Sequence, residues 1–189
     1  MTINNFSSNL VNLASPKLGS KAYKANDEFF APLQRMLSDK DPVFIDGKYD
    51  DHGKWMDGWE TRRRRVSGFD WSIIKLGCPG IIRKVDFDTS FFTGNFPPEA
   101  SLEGCFSKSP PSFDDKKWET IIEKIPINGN QQNLFKSKNI KVFNWIKLNI
   151  FPDGGIARLR LWGDVFVDWS SYPKNKKTEL SLLNNGGKI

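Results

Sequence analysis

A chain of 189 residues is long enough for one domain with a proper core and short for two. Its 38% hydrophobic and 26% charged residues exclude an intrinsically disordered chain, and no stretch is apolar enough to span a bilayer. The net charge of +6 admits nucleic acid, an anionic surface or an anionic small molecule as partner, without choosing among them.

Aromatic residues make up 13%, with 7 Trp and 15 Phe, which favours a β-rich core because flat rings pack well on pleated sheets. Residues 1–20 are polar with little periodicity and read as an N-terminal arm. They lack the basic start and apolar run of a signal peptide, so the cytosol is the default location. The ending Gly-Lys-Ile is not a peroxisomal address. In a reducing compartment Cys78 and Cys105 are expected to be buried thiols, not a disulfide.

From Asn26 the run to Leu37 predicts one short helix, with Asp27 as its N-cap and Pro32 early. Short β segments bounded by Gly, Pro, Asn and Asp follow. Residues 71–76 and 81–87 flank Gly77-Cys78-Pro79-Gly80 and read as a hairpin. Residues 118–127 read as another strand. Residues 142–151 and 156–162 flank Pro152-Asp153-Gly154-Gly155 and read as a second hairpin. In its second arm Ala157, Leu159 and Leu161 point one way, Arg158 and Arg160 the other. From residue 170 the chain reads as a linker-like tail, which leaves 21–169 as the domain. The pattern predicts an all-β fold, a β-sandwich or jelly roll with one short N-terminal helix.

The densest chemistry lies between Phe44 and Arg65, where acids, bases, aromatics and glycines crowd about twenty residues. Of Arg62 to Arg65, alternate members would share a face on a strand, so two would point towards a ligand or an acidic partner. No stacking-aromatic strand motif accompanies them, and nucleic acid is not expected as a partner. His52, the single histidine, excludes metal sites built on several histidines, and Asp50, Asp51 and Asp57 beside it could make it a proton shuttle. Oxygen-ligated Mn²⁺ stays open as a cofactor, although the acids lack metal-loop spacing. Asp86 and Asp88, two apart on a strand, share a face on which carboxylates can divide acid and base roles.

Several blocks resemble the allantoicase family in its own order. They are residues 14–20, 26–32, Phe44 to Tyr49, Gly53 to Arg63, Asp88 to Pro98, and Gly155 to Arg160. The resemblance spans roughly residues 14–165 and implies a galactose-binding-like jelly roll that hydrolyses allantoate to ureidoglycolate and urea. It also implies a homo-oligomer. Two features depart from the family. Where allantoicases usually read His-Asp-Trp-Cys, this chain reads Phe69-Asp70-Trp71-Ser72, and it carries one repeat where members usually have two. Such a site needs a cationic clamp for the carboxylate, a base to direct water and an acid for departing urea. By residue chemistry Arg62, Arg64 and Arg158, with Lys48 and Trp59, are candidates for substrate binding. His52, Asp57, Glu60, Asp86 and Asp88 are candidates for proton transfer. The alternative is a non-catalytic ligand or structural module, with Trp55 and Trp59 suited to stacking on a sugar.

Overall fold

The structure, a computed structural model, describes residues 10–171, 177–179, 181–185 and 187. Antiparallel strands build it, and the 3-10 turns Pro16–Leu18, Leu33–Leu37, Trp169–Ser171 and Leu183–Asn185 are the only helical segments among the described residues. None of these is long and apolar enough to cross a membrane. The helix expected from Asn26 does not form. Two of its polar side chains are drawn to distant partners, Asn26 to Trp71 and Asp70 and Asp27 to Arg62, while Asp27 also accepts from the Phe29 amide and Glu28 from the Leu33 amide. What remains is the 3-10 turn, which sinks Leu33, Met36 and Leu37 into the core.

Strand β1 (Val11–Asn12) begins the fold, so the expected arm is packed from residue 11 onward. Leu13 and Ala14 behind it are fully buried. Residues 1–9 lie outside the described part, as does much of the expected tail. Strand β2 (Lys21–Ala25) precedes two short ladders: β3 (Tyr49–Asp50) with β4 (Gly53–Lys54), and β5 (Trp59–Glu60) with a later segment.

The organising element is β6 (Asp70–Asp88), a single strand of 19 residues. A hairpin was expected here, yet its two halves do not pair with each other. The first half pairs with β2 on one side and β10 (Phe143–Phe151) on the other. The second half pairs with β12 (Arg158–Val165) and β9 (Leu134–Lys136). Strands β7 (Glu99–Cys105) and β8 (Glu119–Pro126) extend the first sheet beyond β10, and β1 closes the second beyond β12. At Gly77–Gly80 the strand therefore crosses from one layer of a sandwich to the other. A flat hairpin would leave both arms without a cover; crossing lets Ile74 and Leu76 of one arm face Ile82, Val85 and Phe87 of the other in one core. The second expected hairpin behaves alike. Residues 152–157, with β11 (Gly155–Ile156) pairing β5, carry the chain from β10 to β12, and β6 lies between those two strands. The fold is an all-β sandwich of jelly-roll type.

A register shift opposite Ile82–Lys84 changes which face the side chains take. Val85 and Phe87 then point inward with Leu159 and Leu161, while Asp86 and Asp88 point outward opposite Arg160 and Arg158. The alternation read in residues 157–161 is present, but the arginine face is not solvated. Segment 38–58 lies across it, and Arg158 is 1% exposed. Cys78 and Cys105 are buried free thiols.

Candidate active site

Both ends of β6 meet the same cluster of loops. Asp70 donates its amide to Pro152, Thr61 to Gly154, Gly155 to Asn95, and Ala157 to Asp88. The loops around 26–32, 59–65, 89–98 and 152–157 thus converge on one end of the sandwich. This is the place where a rigid scaffold can present loop side chains to a ligand. Close packing holds the end in shape: a Cβ on Gly155 would stand 1.9 Å from the Phe92 ring.

Glu60 sits at the centre of this end, 8% exposed, and accepts a hydrogen bond of 2.7 Å from the Asn95 amide. Burial pushes its carboxyl above the usual range; the Asn95 bond works against this, and the charge of Asp50 adds to it. Trp59, its neighbour in β5, faces the core, so Glu60 faces out, and Arg62 follows two residues on. Arg62 is held by Asp27 at 2.6 Å and lies 5.1 Å from the Phe29 ring centroid, yet its side chain is 62% exposed. His52, on the β3–β4 turn, packs against the same ring at 4.4 Å between centroids. The structure therefore brings Glu60, Arg62 and His52 together, with Asp50 and Asn95.

Beside them lies a pair that residue chemistry alone had only half identified. Arg64 binds Asp70 at 2.6 Å, Asn26 donates to the same carboxylate oxygen, and Asp153 accepts from the Arg64 backbone. Asp70 is 2% exposed and Ser72 0%. Arg64 Nε, Asp70 Oδ2 and Ser72 Oγ are buried without a hydrogen-bond partner among the described residues, three polar groups in one small region. Asn95, Asp70, Asn26 and Asp153 were missed as site residues. A signal did exist for Asp70: a carboxylate at the head of an otherwise apolar strand, inside the string that departs from the family pattern.

The remaining candidates are placed elsewhere. Trp59 is 0% exposed, and its indole N–H donates to the Asp27 carbonyl, so it is core. Arg158 spends its donors on the carbonyls of Lys40, Asp41, Asp57 and Ala157 and on the Asp57 carboxylate at 2.6 Å. No donor is left for a substrate; the residue and Asp57 together pin segment 38–58 to the sheet. Asp88 pairs with Arg160 at 3.3 Å, and Asp86 beside it is pushed up to about 7 by burial and by the Asp88 charge, with Arg160 opposing. Both carboxylates are covered, at 2% and 1% exposure. Lys48 is exposed with its ammonium 3.8 Å from the Trp55 ring. Among the described residues no three His, Cys, Asp or Glu side chains come together to hold a metal ion.

The comparisons with known proteins agree with this architecture. A sequence model of the family described as Allantoicase repeat matches residues 11–166. A Burkholderia mallei protein named "Probable allantoicase 2" is 48% identical over 181 residues, which cover 96% of this chain and 54% of that protein. The crystal structure of allantoicase from Saccharomyces cerevisiae superposes with a TM-score of 0.75 at 36% identity, covering 86% of this chain and 51% of that one. A family 32 carbohydrate-binding module of a Clostridium perfringens glycoside hydrolase superposes at 0.57 with 11% identity, over 86% of this chain and 99% of the module; this shows the shared fold alone. The chain spans about half the length of the allantoicase relatives it matches. Over that span, with the family model covering nearly all of the sandwich, the chain belongs to the allantoicase family as one allantoicase repeat.

Proposed function

We propose that this chain acts in the hydrolysis of allantoate to ureidoglycolate and urea. The observation that carries the reading is Glu60: a buried carboxyl with a raised pKa, at the loop end, two residues from an exposed arginine. Allantoate bears a carboxylate and two ureido groups on one carbon. Arg62 clamps the carboxylate through a charge-assisted pair. Glu60 gives its proton to the nitrogen of the departing urea, and as carboxylate it takes one from the water that adds to the central carbon. His52, in reach of the same Phe29 face, is the second proton carrier. Arg64 and Asp70 position the strand head beneath the site.

Glu60→Gln keeps the Asn95 contact while removing the proton. It is expected to lower urea release from allantoate by about a hundredfold or more with unchanged circular dichroism. Near-normal turnover in that variant would remove Glu60 from the scheme. The sugar-binding alternative loses its carriers, because Trp59 is core and the Trp55 ring has Arg35 and Lys48 over it at 5.1 and 3.8 Å. A reducing compartment suits the two thiols. Homo-oligomerisation belongs to the same reading, and sedimentation of the purified chain decides it.

A further inference from the structure

The first sheet has a second face, turned away from the core. There β10 places Lys147 and Asn149, β7 places Ser101 and Glu103, and β6 places Trp71 and Ile73. The register sets Ser101 and Trp71 on either side of Asn149, and Glu103 and Ile73 on either side of Lys147. Asn149 is 5% exposed; its amide nitrogen donates to Ser101 Oγ at 3.0 Å and to Glu103 Oε2 at 2.7 Å. Lys147 Nζ stands 2.9 Å from Glu103 and donates to the Phe113 carbonyl at 3.1 Å. Its ammonium lies over the rings of Phe113 and Trp118, at 4.9 and 5.0 Å. Trp71 stacks on Phe113, centroids 4.8 Å apart and planes 25° apart.

Asn149 Oδ1 is buried and accepts no hydrogen bond among the described residues. Turning the amide over cannot cure this, because the oxygen would then meet the Glu103 carboxylate. With the nitrogen facing β7, the oxygen faces the Trp71 strand. A buried acceptor without a donor from the chain calls for a donor from outside it.

We propose that this face binds a ureido group. Such a group is flat, carries N–H donors on two sides and has one carbonyl acceptor. One N–H satisfies Asn149 Oδ1, another reaches Glu103, and the carbonyl accepts the third hydrogen of the Lys147 ammonium. Its plane lies on Trp71, in the position that the Phe113 ring now fills. Lys147 and Glu103 neutralise each other, which suits a neutral group. A guanidinium lacks the acceptor and sets its charge against Lys147. The choice of ureide rests on the proposed allantoate chemistry; the site itself stands on Asn149, Lys147 and Glu103, whose hydrogen bonds run to one another, to Ser101 and to Phe113.

The test is calorimetric titration of the full chain with methylurea, which has no carboxylate for Arg62 to clamp, followed in parallel by tryptophan fluorescence. The expected result is saturable binding, weakened about tenfold by Asn149→Ala and by Lys147→Met. Asn149→Leu, which removes the acceptor at nearly the same volume, serves should the alanine variant fail to fold. Phe113→Ala is expected to bind several times more tightly, since no ring competes for Trp71. Glu60→Gln is expected to bind as the parent does, which separates this site from the proposed catalytic one. The proposal is overturned if the folded parent does not bind, if the Asn149 and Lys147 variants bind unchanged, if Glu60→Gln loses binding, or if methylguanidinium binds equally well.

Discussion

Two acidic residues, Glu60 and Asp86, show how burial decides what a carboxyl does. Glu60 lies beside an exposed arginine at an open end, so its raised pKa can serve proton transfer. Asp86 is raised further, to about 7, but Asp88 and Arg160 share its covered face and no ligand reaches it. For Asp86 the raised value is a matter of stability. The folded chain holds the proton more tightly than the unfolded one, whose pKa is the ordinary 3.8, so stability is greatest below that value and falls as pH rises towards about 7. A shift of this size corresponds to at most about 4 kcal/mol. Asp86→Asn should therefore unfold at higher denaturant than the parent at about pH 8, and the advantage should vanish near pH 4. An advantage that stays constant across that range would show that Asp86 does not titrate in the window.

At the scale of the element, β6 decides the fold. Its alternation was legible as apolar strand on both sides of Gly77–Gly80, and the punctuation was legible as a change of direction. What local sequence cannot distinguish is a turn within one sheet from a crossing between two, because both need the same residues at the bend. The choice is made by what lies beside the bend. Ser20 Oγ accepts from the Gly77 amide, and a Cβ on Gly77 would stand 1.9 Å from the Leu18 carbonyl oxygen. Residues 18–20, read as part of an N-terminal arm, are thus the wall against which the strand crosses. Gly77→Ala should push Leu18 off the bend and cost about 1–3 kcal/mol, an overpacking penalty visible as a lower denaturation midpoint. An unchanged midpoint would mean that the approach of residues 18–19 does not hold the crossing. The helix expected from Asn26 failed for a related reason, since distant Asp70 and Trp71 claim Asn26 and distant Arg62 claims Asp27, although Asp27 also accepts from the Phe29 amide.

For the molecule as a whole, strands of both layers share one core, and β6 belongs to both, so neither sheet can come apart alone. Tryptophan fluorescence and far-UV circular dichroism should report a single coincident unfolding transition; two separated transitions would show that the layers fold independently. Much was readable from the amino-acid order by itself: the all-β class, the strands over 119–126 and 143–151, the two-faced alternation of residues 158–161, and the family, through blocks of identical type in a fixed order. Those features are local, set by side-chain type and period along the chain. Only the tertiary structure decided which charged residues are free to act. Arg158 and Arg62 look equally suited to bind a carboxylate, yet one is saturated by carbonyls of a segment more than a hundred residues distant in sequence, and the other stays 62% exposed. Glu60 gained its raised pKa, and Asn149 its bare oxygen, from neighbours that no sequence spacing brings together. Burial and hydrogen-bond saturation are properties of the packed chain, so the chemistry of each site was fixed only when the two layers closed.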